Sequence, residues 1–485
     1  MKLLKEILYG TRIKEIQGNT NVAIEDVAFD SRKARAFSLF VAIPGTQVDG
    51  FLYISKAIEN GAVAVVCERM PEHLIEGVSY VLVHDAAMAL GQIASQFYDE
   101  PSSKMKVIAV TGTNGKTTTV SLLHRLFRSM DRKAGMLSTV ENRIVDEVVP
   151  STHTTPDALQ MQQMFHRMAE AGCRYVFIEA SSHSIHQNRL AGTKLTGAVF
   201  TNITHEHLDY HGDFNGYIQA KKGLFDALDA DAFALYNQDD AHGADMVHNC
   251  KAKIHDYALT SMADFRGKIV ENQLSGLHLN INGHDLYSKL IGGFNAYNLL
   301  AVYAVALELE MEELETLTHL SLLNPPPGRF EQIQASNDIT AVVDYAHTPD
   351  ALDNVLKTID SFRDGKTQVI TVVGCGGNRD KTKRPVMAKV AANWSDRVFL
   401  TSDNPRNEDP DAIISDMRQG LDPIDAKKCI AISDRREAIR MAAQIAQSGD
   451  IVLVAGKGHE TYQEIKGVRH DFDDRDELFN AFKTA

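Results

Sequence analysis

The stretch Val107-Ile108-Ala109-Val110-Thr111-Gly112-Thr113-Asn114-Gly115-Lys116-Thr117-Thr118-Thr119 constrains this chain more than any other. A short β-rich run, Val107 to Val110, stops at a glycine-containing turn, and the turn opens into an amphipathic helical pattern from Thr118 to Met130. Strand, loop and helix in that order aim backbone N–H groups at one spot, where the helix N-terminus adds partial positive charge. Lys116 supplies a mobile full charge for β- and γ-phosphates, and Thr117 a hydroxyl for Mg²⁺. The spacing is Gly-x-x-Gly-Lys-Thr, whereas the general phosphate loop has its first glycine where Val110 stands. A plain glycine turn would explain Gly112 and Gly115 but not Lys-Thr-Thr at the helix start.

The rest of the chain must be built around that unit. At ~150 residues per domain, 485 residues make about three domains. With 44% hydrophobic and 24% charged residues the chain has an ordinary globular core. A net charge of −14 argues against general binding to nucleic acid or anionic membranes. Five scattered cysteines without a Cys-x-x-Cys pair read as reduced thiols of a cytosolic protein. Residues 1–10 carry charge within their apolar periodicity, so they predict a first helix and no secretory signal. No run approaches the roughly 18 apolar residues of a membrane span.

Residues 1–102 predict a small α/β domain, with strands at Val22 to Phe29, Ser38 to Ile43, Ala62 to Cys67 and Val78 to Val83 and helices at Tyr53 to Asn60 and Ala86 to Phe97. Asp30-Ser31-Arg32 is either a strand-end turn or a grip on a phosphate or uracil. Residues 103–332 hold the phosphate loop. They continue with a strand Tyr175 to Glu179, which ends in a carboxylate where a Mg²⁺ contact is wanted, and a strand Gly197 to Thr201. His205, His207, Asp209 and His211 cluster after the second strand and read as a metal or phosphate site. Imidazole suits zinc, but Mg²⁺ with ATP agrees better with the loop and Glu179. Ala220-Lys221-Lys222 reads locally as a solvated basic pair on a helix. Asn295 and Asn298 are either helix caps or amide ligands for a base. Asn324-Pro-Pro-Pro-Gly-Arg329 is a rigid connector. Residues 333–485 alternate strands and helices, with polar motifs after each strand: Asp344 to Asp350, Gly374 to Lys381, Thr401 to Arg406 and Ala455 to Glu460. That is the pattern of a second doubly wound, Rossmann-like domain, with ligands at the carboxyl ends of its strands. Gly374-Cys-Gly-Gly lacks the dinucleotide spacing, so a nicotinamide cofactor is not expected.

Taken together, these motifs resemble the Mur ligase family over essentially the whole chain. They are Gly112 to Thr118, Thr154-Thr155-Pro156, Glu179-Ala-Ser-Ser-His183, His207-Leu-Asp-Tyr-His211, Asn295-x-x-Asn298, Gly328-Arg329, Asp344-Tyr-Ala-His-Thr-Pro-Asp350, Gly376 to Lys381, Asp403-Asn-Pro-Arg406 and Lys457-Gly-His-Glu460. The family's ATP loop has the shorter form seen here. The resemblance implies an ATP-dependent amide-bond-forming ligase of peptidoglycan synthesis, a cytoplasmic bacterial monomer acting on small molecules.

Residue by residue, the resemblance implies an ATP site at Gly112, Thr113, Asn114, Gly115, Lys116, Thr117 and Thr118, with Asn298, Arg329 and Asp344 near adenine or the phosphates. Thr117 and Glu179 would hold one Mg²⁺, His207 would help hold a second, and Lys221, as a carbamate, would be an oxygen ligand for Mg²⁺. Ser31 and the Gln47 to Gly50 loop would hold the UDP end of the substrate, and Thr154, Thr155, Ser181, Gln187 and Arg189 its muramoyl dipeptide. Arg379, Asp403, Asn404, Pro405, Arg406, Gly456 and Glu460 match the amino-acid site. Members with Asp-Asn-Pro-Arg take meso-diaminopimelate, because Arg406 can pair bidentately with its second carboxylate. Lys116, His207, Lys221 and His347 are the expected catalytic residues. Two positions depart from the family pattern: His153 replaces a common Asn, and Glu206 the usual Asp.

Overall fold

Lys106–Thr111 is a strand whose last five residues are all buried. That is why it reads as an unbroken apolar run and not as an alternation. Its side chains still divide between two faces. Ile108 and Val110 join Leu122, Leu126 and Phe127 of the helix Lys116–Ser129, while Val107 and Ala109 face Met161, Phe165 and Met168 of the helix Ala158–Glu170. Burial of a Val or Leu side chain contributes about 1.5–3 kcal/mol. A one-residue slip would exchange the two faces, so packing fixes where the loop after Thr111 begins.

The computed structural model describes residues 1–45, 48–151, 154–334, 338–363 and 365–484. It has three α/β domains. In the central one, Lys106–Thr111 lies in the middle of an eleven-stranded sheet, parallel to both Tyr175–Glu179 and Gly197–Phe200. The chain leaves the central strand toward Ala134–Leu137, returns to Tyr175–Glu179, then crosses to the other side. The strand order therefore reverses beside the phosphate loop, which is where open sheets of this kind bind ligands. The strands Phe265–Gln273, Gly276–Ile281 and His284–Ser288 extend one end of the sheet. The last two meet at the Asn282-Gly283 turn. The C-terminal domain orders its six strands as Glu331–Gln334, Thr340–Asp344, Ile451–Ala455, Val369–Cys375, Arg397–Ser402 and Cys429–Ala431, parallel after the first. The N-terminal domain has a five-stranded sheet.

The structure differs from the expectations mainly at edges. The first helix is only Leu4–Ile7, because Lys2–Leu3 pairs as a strand with Ala23–Ile24. The edge strand Ile13–Gln17 carries mostly exposed residues, and the paired strands Asn142–Ile144 and Glu147–Val149 are only three residues long each, so neither gave a clear apolar signal. No described helix is long and apolar enough to cross a membrane.

Candidate functional site

The phosphate loop is held by its neighbours before any ligand is considered. Thr113 N–H donates to the Asn202 carbonyl at 2.7 Å, Asn114 N–H to Asn202 Oδ1 at 3.0 Å, and Thr201 Oγ1 donates to the Asn114 carbonyl at 2.6 Å. Gly115 caps the helix with φ 87°, and a Cβ there would lie 2.5 Å from Asn298 Oδ1, so both conformation and space demand glycine. Lys116 Nζ donates to the carbonyls of Gly112 and Thr113 at 2.8 and 2.7 Å. Thr117 Oγ1 donates to Glu179 Oε2 at 3.0 Å and accepts from Arg329 Nη2 at 3.0 Å. Glu179 is further held by Thr139 N–H at 2.7 Å. Thr118 is buried at the helix start.

Lys221 and Lys222 lie on the helix Phe214–Asp226, and both are buried, which overturns the local reading of a solvated pair. Lys222 is neutralised by Asp226 one turn on. Lys221 turns inward, donates to the Gly112 carbonyl at 2.7 Å and lies over the Tyr217 ring. Burial, reinforced by the Lys116 charge, holds its ammonium well below the usual lysine range. Burial also lowers Lys116, His207 and His347. Glu206, seen in the sequence only as a departure, is the common counter-charge. Its carboxylate lies 3.7 Å from His207 Nε2 and 3.8 Å from His347 Nε2. Burial pushes its carboxyl up, but the His207, His347, Lys116 and Lys221 charges outweigh that and hold it low.

The histidines after Gly197–Phe200 have separate surroundings. His205 stacks on Phe214, His211 Nε2 meets Ser182 Oγ at 3.0 Å, and His183 packs against His207, Tyr210 and His211. Among the described residues no three His, Cys, Asp or Glu side chains form a metal-holding group. A Mg²⁺ that keeps waters and phosphate oxygens needs only one or two protein ligands, and the Thr117–Glu179 pair offers hard oxygens of that kind.

Of the residues expected to grip the dipeptide, Thr154 and Ser181 line the same cavity as the phosphate loop. Thr155 faces inward, donating to the Glu179 carbonyl at 2.7 Å and accepting from Ser181 N–H. Arg189 is held by Gln187 Oε1 and the Thr155 carbonyl, and neither Gln187 nor Arg189 lines the cavity. Ser31 begins the turn Ser31–Lys33 in the N-terminal domain, away from the cavity lining. Gln47 and His153 lie outside the described residues.

The helix Gly293–Glu308 starts earlier than expected and is capped by Gly292, so Asn295 and Asn298 are not its N-caps. Asn298 Nδ2 donates to Asn295 Oδ1 at 3.0 Å, and both residues line the cavity. Asp344 ends its strand accepting from Phe330 N–H at 2.6 Å and Ala346 N–H at 2.7 Å, while burial raises its carboxyl. Asp350 reaches across to the phosphate loop and accepts from Asn114 Nδ2 at 2.8 Å.

The far end of the cavity is built by the C-terminal domain. Arg379, Asp403, Asn404, Arg406, Gly456 and Glu460 line it, and Pro405 is buried behind. Gly456 has φ 117°, and a Cβ there would lie 2.9 Å from Asp403 Oδ2. The glycines after Val369–Cys375 serve a similar close approach: a Cβ on Gly376 would lie 2.9 Å from Arg406 Nη1. Arg406 has φ 52°, donates through Nη1 to the Gly377 carbonyl at 2.9 Å, and sits 3.6 Å from Glu464. Its backbone is locked by Glu464 and Lys466. Those two belong to the hairpin Tyr462–Ile465 and Val468–Asp471, which the sequence reading missed. Lys466-Gly467 between two short β-prone runs was the available signal. The cavity, about 1180 Å³, thus joins phosphate loop, paired lysines, Glu206 and this charged far end across two domains.

Three family descriptions match: "Mur ligase family, catalytic domain" over residues 23–98, "Mur ligase middle domain" over 110–306, and "Mur ligase, glutamate ligase domain" over 328–458. A protein of Cytophaga hutchinsonii named UDP-N-acetylmuramoyl-L-alanyl-D-glutamate--2,6-diaminopimelate ligase is 52% identical, over 97% of each chain. A Bacteroides fragilis protein of the same name is 51% identical over 99% of each. A solved structure of a ligase of that name superposes with a TM-score of 0.71 at 36% identity, covering 100% of this chain and 99% of the other.

Proposed function

The chain belongs to the Mur ligase family, and from that premise we propose that it joins meso-2,6-diaminopimelate to UDP-N-acetylmuramoyl-L-alanyl-D-glutamate in peptidoglycan synthesis, with hydrolysis of ATP to ADP and phosphate. It works as a cytoplasmic monomer on small molecules. The observation that carries this reading is one cavity with a phosphate loop at one end and Arg406, Asp403 and Glu460 at the other.

The γ-carboxylate of the D-glutamyl residue takes the γ-phosphoryl group of ATP. The amino group of diaminopimelate then attacks the acyl phosphate carbonyl, a tetrahedral intermediate forms, and phosphate leaves as the amide closes. Lys116 and the loop N–H groups stabilise charge on the transferring phosphoryl group, and positioning supplies most of the remaining rate. Mg²⁺, when bound, neutralises phosphate charge; Thr117, Glu179, His207 and carbamylated Lys221 would hold it. Glu206, between His207 and His347, gives both imidazoles a shared counter-charge. Residues 1–102, with Ser31, take the UDP end, residues 103–332 bind ATP, and residues 333–485 present the amino acid. Closure of the domains brings these parts together, and the Asn114–Asp350 contact is one place where they touch.

The test is phosphate release from ATP with UDP-N-acetylmuramoyl-L-alanyl-D-glutamate, comparing meso-diaminopimelate with L-lysine. Release with diaminopimelate, and far slower release with lysine, is expected. Preference for lysine would keep the ligase and reject the amino-acid assignment. No release with either would point to a sister ligase of the family.

A further inference from the structure

Lys457 is fully buried and does not line the cavity, yet it stands directly behind the charged far end. Its Nζ donates to Glu460 Oε2 at 3.0 Å and to Asn404 Oδ1 at 3.3 Å, and lies 3.9 Å from Asp403 Oδ1. Asn404 closes the network: its Nδ2 donates to Glu460 Oε2 at 2.7 Å and its Oδ1 accepts from Glu464 N–H at 2.9 Å. Burial and the Asp403 charge push the Glu460 carboxyl up, and Lys457 pulls it back down. Without a cation behind them, two carboxylates in one buried site cannot both stay ionised.

We propose that Lys457 is a positioning and specificity-determining residue for the amino-acid substrate: its buried ammonium sets the charge of the distal-group site so that an ammonium-plus-carboxylate head is accepted and a bare ammonium head is not. This rests on the reading of that end as the diaminopimelate site. With both carboxylates ionised, Asp403, Glu460 and Lys457 carry one net negative charge, while Arg406 and Glu464 offset each other. The distal end of diaminopimelate brings an ammonium for the carboxylates and a carboxylate for Arg406, a neutral pair. The distal end of lysine brings only the ammonium. Neutralising Lys457 adds one net negative charge to the site. That change favours lysine relative to diaminopimelate, even if both bind less well.

The experiment compares the full-length protein with Lys457→Gln and Lys457→Arg. It measures kcat and KM for meso-diaminopimelate, L-lysine, ATP and the UDP substrate by phosphate release, with melting temperature alongside. In Lys457→Gln, which keeps a hydrogen-bond donor but no charge, the ratio of kcat/KM for diaminopimelate over lysine should fall by on the order of tenfold or more. KM for ATP and for the UDP substrate should stay unchanged. Lys457→Arg keeps the charge and should keep the ratio. If both amino acids weaken equally in Lys457→Gln, Lys457 is only structural and the proposal is overturned; unchanged kinetics overturn it as well. Should Lys457→Gln fail to fold, Lys457→Arg decides: a preserved ratio supports the role of charge, and a collapsed ratio refutes it. A parent chain inactive with diaminopimelate would instead refute the function proposed above, an outcome separate from any of these.

Discussion

Lys221 Nζ and Lys116 Nζ donate to the same acceptor, the carbonyl oxygen of Gly112, at 2.7 and 2.8 Å. Two buried amines at one carbonyl cannot both hold full charge cheaply, and burial lowers Lys221 most. An uncharged amine is the form that attacks CO₂. Carbamylation would convert a repelled cation into an oxygen donor at the site proposed to take phosphate and Mg²⁺. With ¹³C-bicarbonate, the NMR spectrum should show a carbamate signal that is lost in Lys221→Ala. That variant should lose on the order of 10²–10³-fold in kcat, and a short free carboxylate should restore part of it. Activity near that of the parent chain in Lys221→Ala would remove the residue from the mechanism.

Lys116→Ala should lower kcat by on the order of 10³-fold, because the loop's mobile charge acts chiefly on the transferring phosphoryl group. Lys116→Arg should not rescue it. A planar guanidinium cannot reproduce a compact ammonium that meets two loop carbonyls 2.7–2.8 Å away. Isotope-labelled ATP in single-turnover assays would separate the chemical step from binding. A variant that retains turnover would contradict the ATP-site assignment.

The same residues show how far the sequence could be read. Most cavity-lining clusters follow a buried strand that announces itself as an apolar run, such as Lys106–Thr111, Tyr175–Glu179 or Ile451–Ala455. The order of motifs was therefore legible before their meeting in space. What stayed hidden depends on contacts between distant segments. Lys221 reads as solvated until the helix Phe214–Asp226 is seen turning it toward Gly112. Lys457 acquires a role only when Asp403, Asn404 and Glu460 meet around it, and Glu464 only when the hairpin Tyr462–Ile465 and Val468–Asp471 folds over Asp403 to Arg406. Short edge strands such as Ile13–Gln17 carry too few buried side chains for periodicity to register.

Arg406 is held ready by an internal stand-in, since Glu464 lies 3.6 Å from its Nε. Arg406→Ala should therefore raise KM for diaminopimelate, lowering kcat/KM on the order of 10²-fold, with ATP binding unchanged. Glu464→Gln should have the milder opposite character. It frees the guanidinium for the substrate carboxylate but loosens its orientation, so KM should move less than in Arg406→Ala. Equal kinetics for Arg406→Ala and the parent chain would place the substrate's second carboxylate elsewhere.

His124 offers a test of the central domain that is independent of substrate. It is buried midway along the helix Lys116–Ser129, with Nε2 3.1 Å from the Val145 carbonyl. Burial, together with Arg143, lowers its imidazole to about 4 from an ordinary 6.5. The unfolded chain therefore binds a proton between those values that the folded chain refuses. The stabilising contribution is complete above about pH 6.5 and is lost as pH falls toward 4. The gap corresponds to roughly 3 kcal/mol as an order of magnitude. Melting curves of the parent and His124→Gln at pH 7, 6 and 5 should show the parent losing stability faster with acid, so that the difference between the two narrows. Parallel curves for the two proteins would mean that His124 is protonated in the folded state, against the burial seen here.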